Sequence, residues 1–278
     1  MINEAVILLG GMGTRLLPYT KTISKEMLPI YDVPNIFLLV KEAYLSGIKK
    51  IIFVTTEHNK YLIQNFFSED KYLNDFLKDK PDKKILLKEI DEIINNMKFV
   101  YVSQKEKGSY GALYSAKDYL ENDNFIVMYG DDLIDSDIPL SKCLINEFQK
   151  TNTMQVAIKK ISFDELPNTG IVKLDNNNYL IDLVTKKEEH NNALLHGRML
   201  LNKKIFEIKD NLPIHENNEY YLPYALLLFK DVKAYFYQGE YFNIGNKIGF
   251  IKASIHYALK DQKVKNELLK YINEIKEK

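Results

Sequence analysis

Short apolar runs that break into polar turns recur along the first half of the chain, and they limit the fold more than any other feature. AVILL (5–9) ends in Gly10-Gly11-Met12-Gly13, and KKIIFVTT (49–56), KFVYVSQ (98–104) and NFIVMYGDD (124–132) repeat the pattern. Runs that are apolar throughout, not alternating, mark strands buried on both faces. Between them lie segments of helical spacing: NIFLLVKEAYLSG (35–47), closed by Gly47, then YLIQNFF, DFLKDK, LLKEIDEIINNM and GALYSAKDYL (111–120). Strand alternating with helix predicts an α/β fold with a mainly parallel central sheet flanked by helices. Open sheets of this kind bind ligands at the carboxyl ends of their strands. The glycine loop, QKEKGSYG and Gly130-Asp131-Asp132 are therefore expected on one rim.

The second half is less regular. TMQVAIKKI (153–161), GIVKL (170–174) and part of NNNYLIDLVTKK read as strands, and HGRMLLNKKIFE passes from strand to helix. EYYLPYALLLF reads as a helix, VKAYFYQGEYFNIG as an alternating strand pair, and KIGFIKASIHYALK and the charged tail as terminal helices. No linker or repeat interrupts the chain. It reads as one domain over 1–278: a nucleotide-binding half (1–150), a second half (151–246) and a helical tail (247–278).

Charge argues against several partners. The 38 basic and 38 acidic residues cancel, which gives no reason to expect nucleic acid or an acidic membrane. No segment reaches the roughly 18 apolar residues of a membrane span. No leader is visible, so the expected location is cytoplasmic. Cys143 is the one cysteine; it excludes an internal disulfide and reads as a buried thiol on a helix. The five histidines lack ligand spacing and read as surface or satisfied side chains.

Positive charge is local instead. Arg15, Lys21 and Lys25 follow the glycines. Backbone N–H groups of a glycine loop can form an anion nest, and arginine grips phosphate oxygens bidentately. The loop is neither a complete dinucleotide fingerprint nor a Walker A motif. Asp131, at a strand end facing such a loop, has the chemistry of a Mg²⁺ ligand.

The stretch from Gly11 to Pro29, G-x-G-T-R-L-x-P-x-T-x-x-x-x-K-E-M-L-P, resembles the signature of the sugar-1-phosphate nucleotidyltransferases. The Lys-Glu-Met-Leu-Pro ending is most similar to the bacterial UTP–glucose-1-phosphate uridylyltransferases. The resemblance continues through GIKKIIFVTT, VSQKE, GDD, TGIV and HGR to NIGNKIGFIKA, nearly the whole chain. It implies a Rossmann-like nucleotidyltransferase fold with C-terminal helices. It also implies a Mg²⁺-assisted reaction in which a sugar 1-phosphate attacks the α-phosphate of a nucleoside triphosphate and releases pyrophosphate. Relatives often form dimers or tetramers, so a homo-oligomer is an expectation of the same kind.

On this match Gly10, Gly11, Gly13 and Thr14 line the nucleotide, and Arg15 and Lys25 meet its phosphates. Gln104 and Gly108 hold base and ribose, and Asp131 takes Mg²⁺. Gly170 approaches the sugar, Lys186 is the catalytic lysine that neutralises the sugar phosphate, and Glu219 is a further sugar-binding residue. The family's second metal carboxylate falls on Asn243, in Asn243-Ile244-Gly245-Asn246-Lys247-Ile248-Gly249, where an amide replaces a negative charge. Glu-Lys-Pro has become Thr185-Lys186-Lys187. The base loop reads Gly108-Ser109-Tyr110-Gly111-Ala112, and Gly-Glu-Ile-Gln-Leu-Thr-Asp has become Asn218-Glu219-Tyr220-Tyr221-Leu222-Pro223-Tyr224. The triphosphate grip is intact while the acidic parts of the metal and sugar sites are reduced. The expected activity is UTP–glucose-1-phosphate uridylyl transfer. The alternatives are a different base or sugar specificity, or a weakly active or inactive paralogue that binds nucleotide and regulates a partner.

Overall fold

A computed structural model describes residues 1–162, 170–184, 193–215 and 218–276. Strand β1 (Glu4–Leu9) is buried at every position. The chain leaves it through the glycine loop and three short 3₁₀ turns, then forms a small antiparallel ribbon of β2 (Pro29–Ile30) and β3 (Val33–Pro34). Helix α1 (Asn35–Leu45) leads to β4 (Lys50–Thr55). Next come α2 (Glu57–Phe66), α3 (Lys71–Phe76), α4 (Pro81–Lys84) and α5 (Lys88–Asn96). Side-chain oxygens of Thr56 and Asp70 cap α2 and α3, as short polar residues do at helix starts. Strand β5 (Lys98–Ser103), helix α6 (Gly108–Ser115), β6 (Asn124–Tyr129), β7 (Asp132–Asp135) and α7 (Leu140–Thr151) complete the first half.

The second half holds β8 (Met154–Lys160), β9 (Ile171–Leu174), β10 (Leu180–Val184) and β11 (Ala193–Asn202). They are followed by α8 (Leu222–Leu226), β12 (Val232–Phe236), β13 (Glu240–Asn243), α9 (Lys247–Ala258) and α10 (Gln262–Lys276).

One sheet runs β10-β9-β11-β6-β1-β4-β5, with β8 on β11 and β12 on β8. Strands β5, β4, β1 and β6 are parallel, and β11 joins β6 antiparallel. After β1 the chain places β4 and β5 on one side, then crosses to lay β6 on the other. The carboxyl ends of β1 and β6 thus border a topological switch point, where open sheets carry their ligand crevice. The apolar β1 run has a direct reason. Val6 and Leu8 pack into the core on one face of the sheet, and Ala5, Ile7 and Leu9 into the core on the other.

Three expectations need correction. VKAYFYQGEYFNIG does form two strands, but they do not pair with each other: β12 runs parallel to β8, and β13 lies antiparallel to β7. Packing partners, not the alternating pattern, decided that choice. The helix expected across EYYLPYALLLF is limited to the five residues of α8. Cys143 is half-buried, with Sγ 4.0 Å from the Ile138 carbonyl.

His196 is one exception among the histidines. It is 2% exposed, its Nδ1 lies 2.5 Å from the Tyr237 hydroxyl, and its ring stacks on Tyr241 with centroids 3.7 Å apart. Its Nε2 is buried without a partner. Burial, aided by Lys159 and Arg198, pushes its pKa down to about 3. The unfolded chain, titrating near the ordinary ~6.5, takes up a proton that the folded one refuses until pH ~3. Stability therefore falls as pH falls between those values. His196→Phe keeps the stack and removes the titration. Its stability relative to the parent should rise on acidification by up to about 1.4 kcal/mol per pH unit. Denaturant titrations from pH 7 to 4 check this; parallel curves for the two proteins would refute it.

Candidate active site

Two cavities flank the rim at the switch point. The first, about 400 Å³, is lined by the glycine loop, Lys25, Gln104, Gly108, Asp131 and Glu219 among others. The loop sequence follows from its surroundings. A Cβ on Gly10 would stand 1.5 Å from Gln104 Oε1, and Gly13 has φ 64°, a region other residues rarely adopt. Thr20 Oγ1 donates to the Gly13 carbonyl at 2.8 Å and closes the loop. Thr14 and Arg15 then begin a 3₁₀ turn. Gln104 extends from the end of β5, with Nε2 donating to the Glu106 carbonyl at 2.6 Å. Gly108 starts α6 at φ 85°, and a Cβ there would lie 2.3 Å from the Tyr220 carbonyl oxygen. This approach seats the 219–221 segment on the start of α6. It sets Glu219 beside the first cavity and apart from Gly170, which lines the second.

Charge is concentrated where β1 and β6 end. Lys25 Nζ stands 2.8 Å from Asp131 Oδ2 and 3.9 Å from Glu26 Oε1, with its side chain only 10% exposed. Arg15 reaches within 4.0 Å of Asp131 while its side chain stays 65% exposed, so the guanidinium is open to a ligand. Burial works to lower the Lys25 pKa, but the charges of Asp131 and Glu26 outweigh it and hold the ammonium above its usual value. Burial likewise works to raise Asp131, yet Lys25 and then Arg15 hold that carboxyl below its usual range. Glu26, fully buried beneath Lys25, is pushed up to about 7 by burial against the opposing pull of Lys25. Sequence reasoning missed Glu26, although it stands inside the Lys-Glu-Met-Leu-Pro stretch.

Asp131 and Asp132 turn to different partners. Asp131 lines the first cavity; Asp132 is 7% exposed, accepts from Gly197 N at 2.7 Å and Tyr241 Oη at 2.8 Å, and lines the second cavity. Asn243 ends β13 opposite Asp132, and its Oδ1 accepts from Gly245 N at 3.1 Å. A Cβ on Gly245 would lie 2.7 Å from Asp131 Oδ2, 3.0 Å from Arg15 and 3.1 Å from Asn243 Oδ1. Carboxylate, guanidinium and amide oxygen therefore converge on one point that glycine alone leaves open. Neither Asp132 nor Glu240, the acids on β7 and β13 nearest in sequence to this point, joins them as a second carboxylate. Asp132 is committed to Gly197 and Tyr241, and Glu240 pairs with Asp135 at the far end of the β7–β13 ribbon.

Among the described residues no three His, Cys, Asp or Glu side chains form a metal cage. One carboxylate and one amide oxygen suit a hard divalent cation that draws its remaining ligands from phosphate and water.

The second cavity, about 630 Å³, is lined by Gly170 at φ 85°, by Leu183, Leu195 and Met199, and by a rim of Asp132, His215 and Tyr224. Ser109 and Tyr129 line both cavities and form the partition between them. Lys186 lies outside the described residues. Below the partition Arg198 is fully buried, with Nε 3.0 Å from Glu42 Oε2, and ties β11 to α1. The arrangement is a glycine loop with two cations and one carboxylate at the first cavity, next to a second. It suits phosphoryl-type transfer, in which positioning and charge neutralisation do most of the catalytic work.

Known proteins share this chain's fold and sequence along nearly its whole length. The description of the nucleotidyl transferase family matches residues 4–258. A UTP–glucose-1-phosphate uridylyltransferase of Staphylococcus haemolyticus (strain JCSC1435) is 34% identical over 99% of this chain and 98% of its own length. A UDP-glucose pyrophosphorylase solved in complex with UDP-glucose superposes with a TM-score of 0.83 at 31% identity, covering 94% of this chain and 100% of that one. The UTP-bound enzyme of Acinetobacter baumannii gives 0.84 at 30% identity and 99% coverage of both chains.

Proposed function

We infer, for a chain that belongs to the nucleotidyl transferase family, that it is a UTP–glucose-1-phosphate uridylyltransferase making UDP-glucose and pyrophosphate. The observation that carries this reading is the convergence of Arg15, Lys25 and Asp131 at the β1–β6 switch point, where Lys25 and Asp131 line the first cavity. The first cavity takes UTP: Gly10, Gly11, Gly13 and Thr14 hold the triphosphate backbone, and Gln104 and Gly108 hold base and ribose. The second takes the glucosyl unit against Gly170, with Lys186 neutralising the sugar phosphate; Glu219, at the edge of the first cavity, accepts from a sugar hydroxyl. A phosphate oxygen of glucose 1-phosphate attacks the α-phosphorus of UTP, the bond to the β-phosphate oxygen breaks, and pyrophosphate leaves. No enzyme nucleophile is needed. Lys25 neutralises charge near the reacting phosphorus, and Arg15 grips the departing phosphates.

Magnesium is the proposed cation, held by Asp131 and Asn243 beside Gly245. When bound it neutralises triphosphate charge and orients the phosphates. The reading is tested in reverse: UDP-glucose with pyrophosphate should yield UTP and glucose 1-phosphate, and a folded protein that yields neither contradicts it.

Two variants probe the assignments. Arg15→Ala should lower turnover at least about tenfold, corresponding to ~1.4 kcal/mol of transition-state stabilisation; unchanged turnover removes Arg15 from the mechanism. Asn243→Asp should lower the half-saturating Mg²⁺ concentration about fivefold or more, since a full charge beside the ion is worth ~1 kcal/mol even when well screened. A titration matching the parent places Asn243 away from the metal. The neutral Asn243 also favours a second reading, a weakly active paralogue that regulates a partner. Negligible turnover in the parent with strong turnover in Asn243→Asp would support it.

A further inference from the structure

The second cavity carries polar atoms that the fold leaves unsatisfied. His215 Nε2 is buried without a hydrogen-bond partner, the buried Tyr129 hydroxyl has only the Ser109 hydroxyl beside it and no acceptor for its own proton, and both residues line this cavity. Folded proteins satisfy nearly all such atoms, so their gathering at one cavity indicates a ligand that completes them. His196 Nε2 is also unpartnered and His196 lines the same cavity, but its ring is held by Tyr237 and Tyr241, which pack in the core on the opposite face of the sheet. Tyr129 instead packs with the core that includes Leu183, Leu195 and Met199, the apolar lining of the cavity.

The placement of Tyr129 is built into the backbone. Its ring lies over Gly197, where a Cβ would stand 2.4 Å from Tyr129 Cβ and Cγ. Only glycine at 197 leaves that slot open. Burial raises the Tyr129 pKa above its usual value, so the hydroxyl stays protonated and can donate. His215 is positioned by rings on two sides, with centroids 5.0 Å from Tyr221 and 4.3 Å from Tyr224. A hexose offers the matching chemistry: C–H faces for the leucines and Met199, and hydroxyls around its edge.

We propose that the Tyr129 hydroxyl and His215 Nε2 read two hydroxyls of the hexose and so determine which sugar 1-phosphate this chain accepts. The proposal rests on the assignment of the second cavity to the sugar. A site that hydrogen-bonds a substrate hydroxyl discriminates strongly against analogues lacking it, because its own buried group is then left unpaired.

The test compares UDP-glucose with UDP, since their difference in affinity isolates the glucosyl unit. Tyr129→Phe removes one oxygen and keeps the ring over Gly197; His215→Phe keeps a ring between Tyr221 and Tyr224. Calorimetric titration should find UDP-glucose binding weakened about tenfold or more in each variant, with UDP affinity within about twofold of the parent. In assays with single-deoxy glucose 1-phosphates, each variant should lose discrimination at one ring position. Unchanged UDP-glucose affinity in both variants, or equal loss for UDP and UDP-glucose, would overturn the proposal. Failure of the reading of function is separate: it would appear as no UDP-glucose synthesis by the parent protein, whatever the ratio of the two affinities.

Discussion

Lys25→Met should lower kcat by about 10²–10³-fold, the usual cost of losing one preorganised charge stabiliser at a reacting centre. Lys25 is singled out by its position. Its ammonium lies beneath the glycine loop, 3.1 Å from where a Gly11 Cβ would stand, and between Asp131 and Glu26. The substitution leaves two carboxyl groups facing a gap with only exposed Arg15 nearby. Losing one partner of a buried pair costs about 3–5 kcal/mol in general, so the melting temperature should fall as well. The catalytic loss is read at a temperature where the variant remains folded, with UDP binding used to count competent sites. Near-parental kcat per competent site would remove Lys25 from the chemistry.

Asp131→Asn should be as damaging to turnover, also about 10²–10³-fold, for a different reason. Asp131 is the one carboxylate among the groups that converge beside Gly245; the other contributors are Arg15 and the amide of Asn243. An amide in its place leaves the cation without a formal negative charge from the protein at that point. Excess Mg²⁺ should therefore fail to restore the rate. The fold should tolerate the change better than loss of Lys25, because Lys25 keeps Glu26 at 3.9 Å and no uncompensated anion is created. Recovery of parental rate at high Mg²⁺ would mean that Asp131 only tunes affinity.

These residues were legible in the sequence to different degrees, for physical reasons. The parallel strands could be read because β1 and its neighbours are apolar on both faces, and each ends in a turn that carries glycine or acid. The glycine loop, Lys25 and Asp131 were readable for the same reason: strand ends of an open sheet share one rim. The pairing of β12 with β8 and of β13 with β7 was not, because an alternating strand does not encode its partner. The divergence of Asp131 and Asp132 depends on Gly197 and Tyr241, which reach them through tertiary structure. Gly245 stood in the sequence only as a member of the motif that begins at Asn243; its role in keeping Asp131, Arg15 and Asn243 close requires three distant segments. Tyr129 and His215 carried no motif, and only their buried polar atoms at one cavity mark them. The roles assigned to Gln104, Gly170 and Glu219 came from family resemblance. The packing of 219–221 on Gly108 sets Glu219 at the first cavity, a placement that spacing alone did not reveal.

The most direct test of the account is pyrophosphate release measured across a grid of nucleoside triphosphates and sugar 1-phosphates, with and without Mg²⁺. The account predicts the strongest release with UTP and glucose 1-phosphate, dependent on Mg²⁺, with UDP-glucose as the co-product. No release in any combination, from protein that still binds UTP, would contradict it.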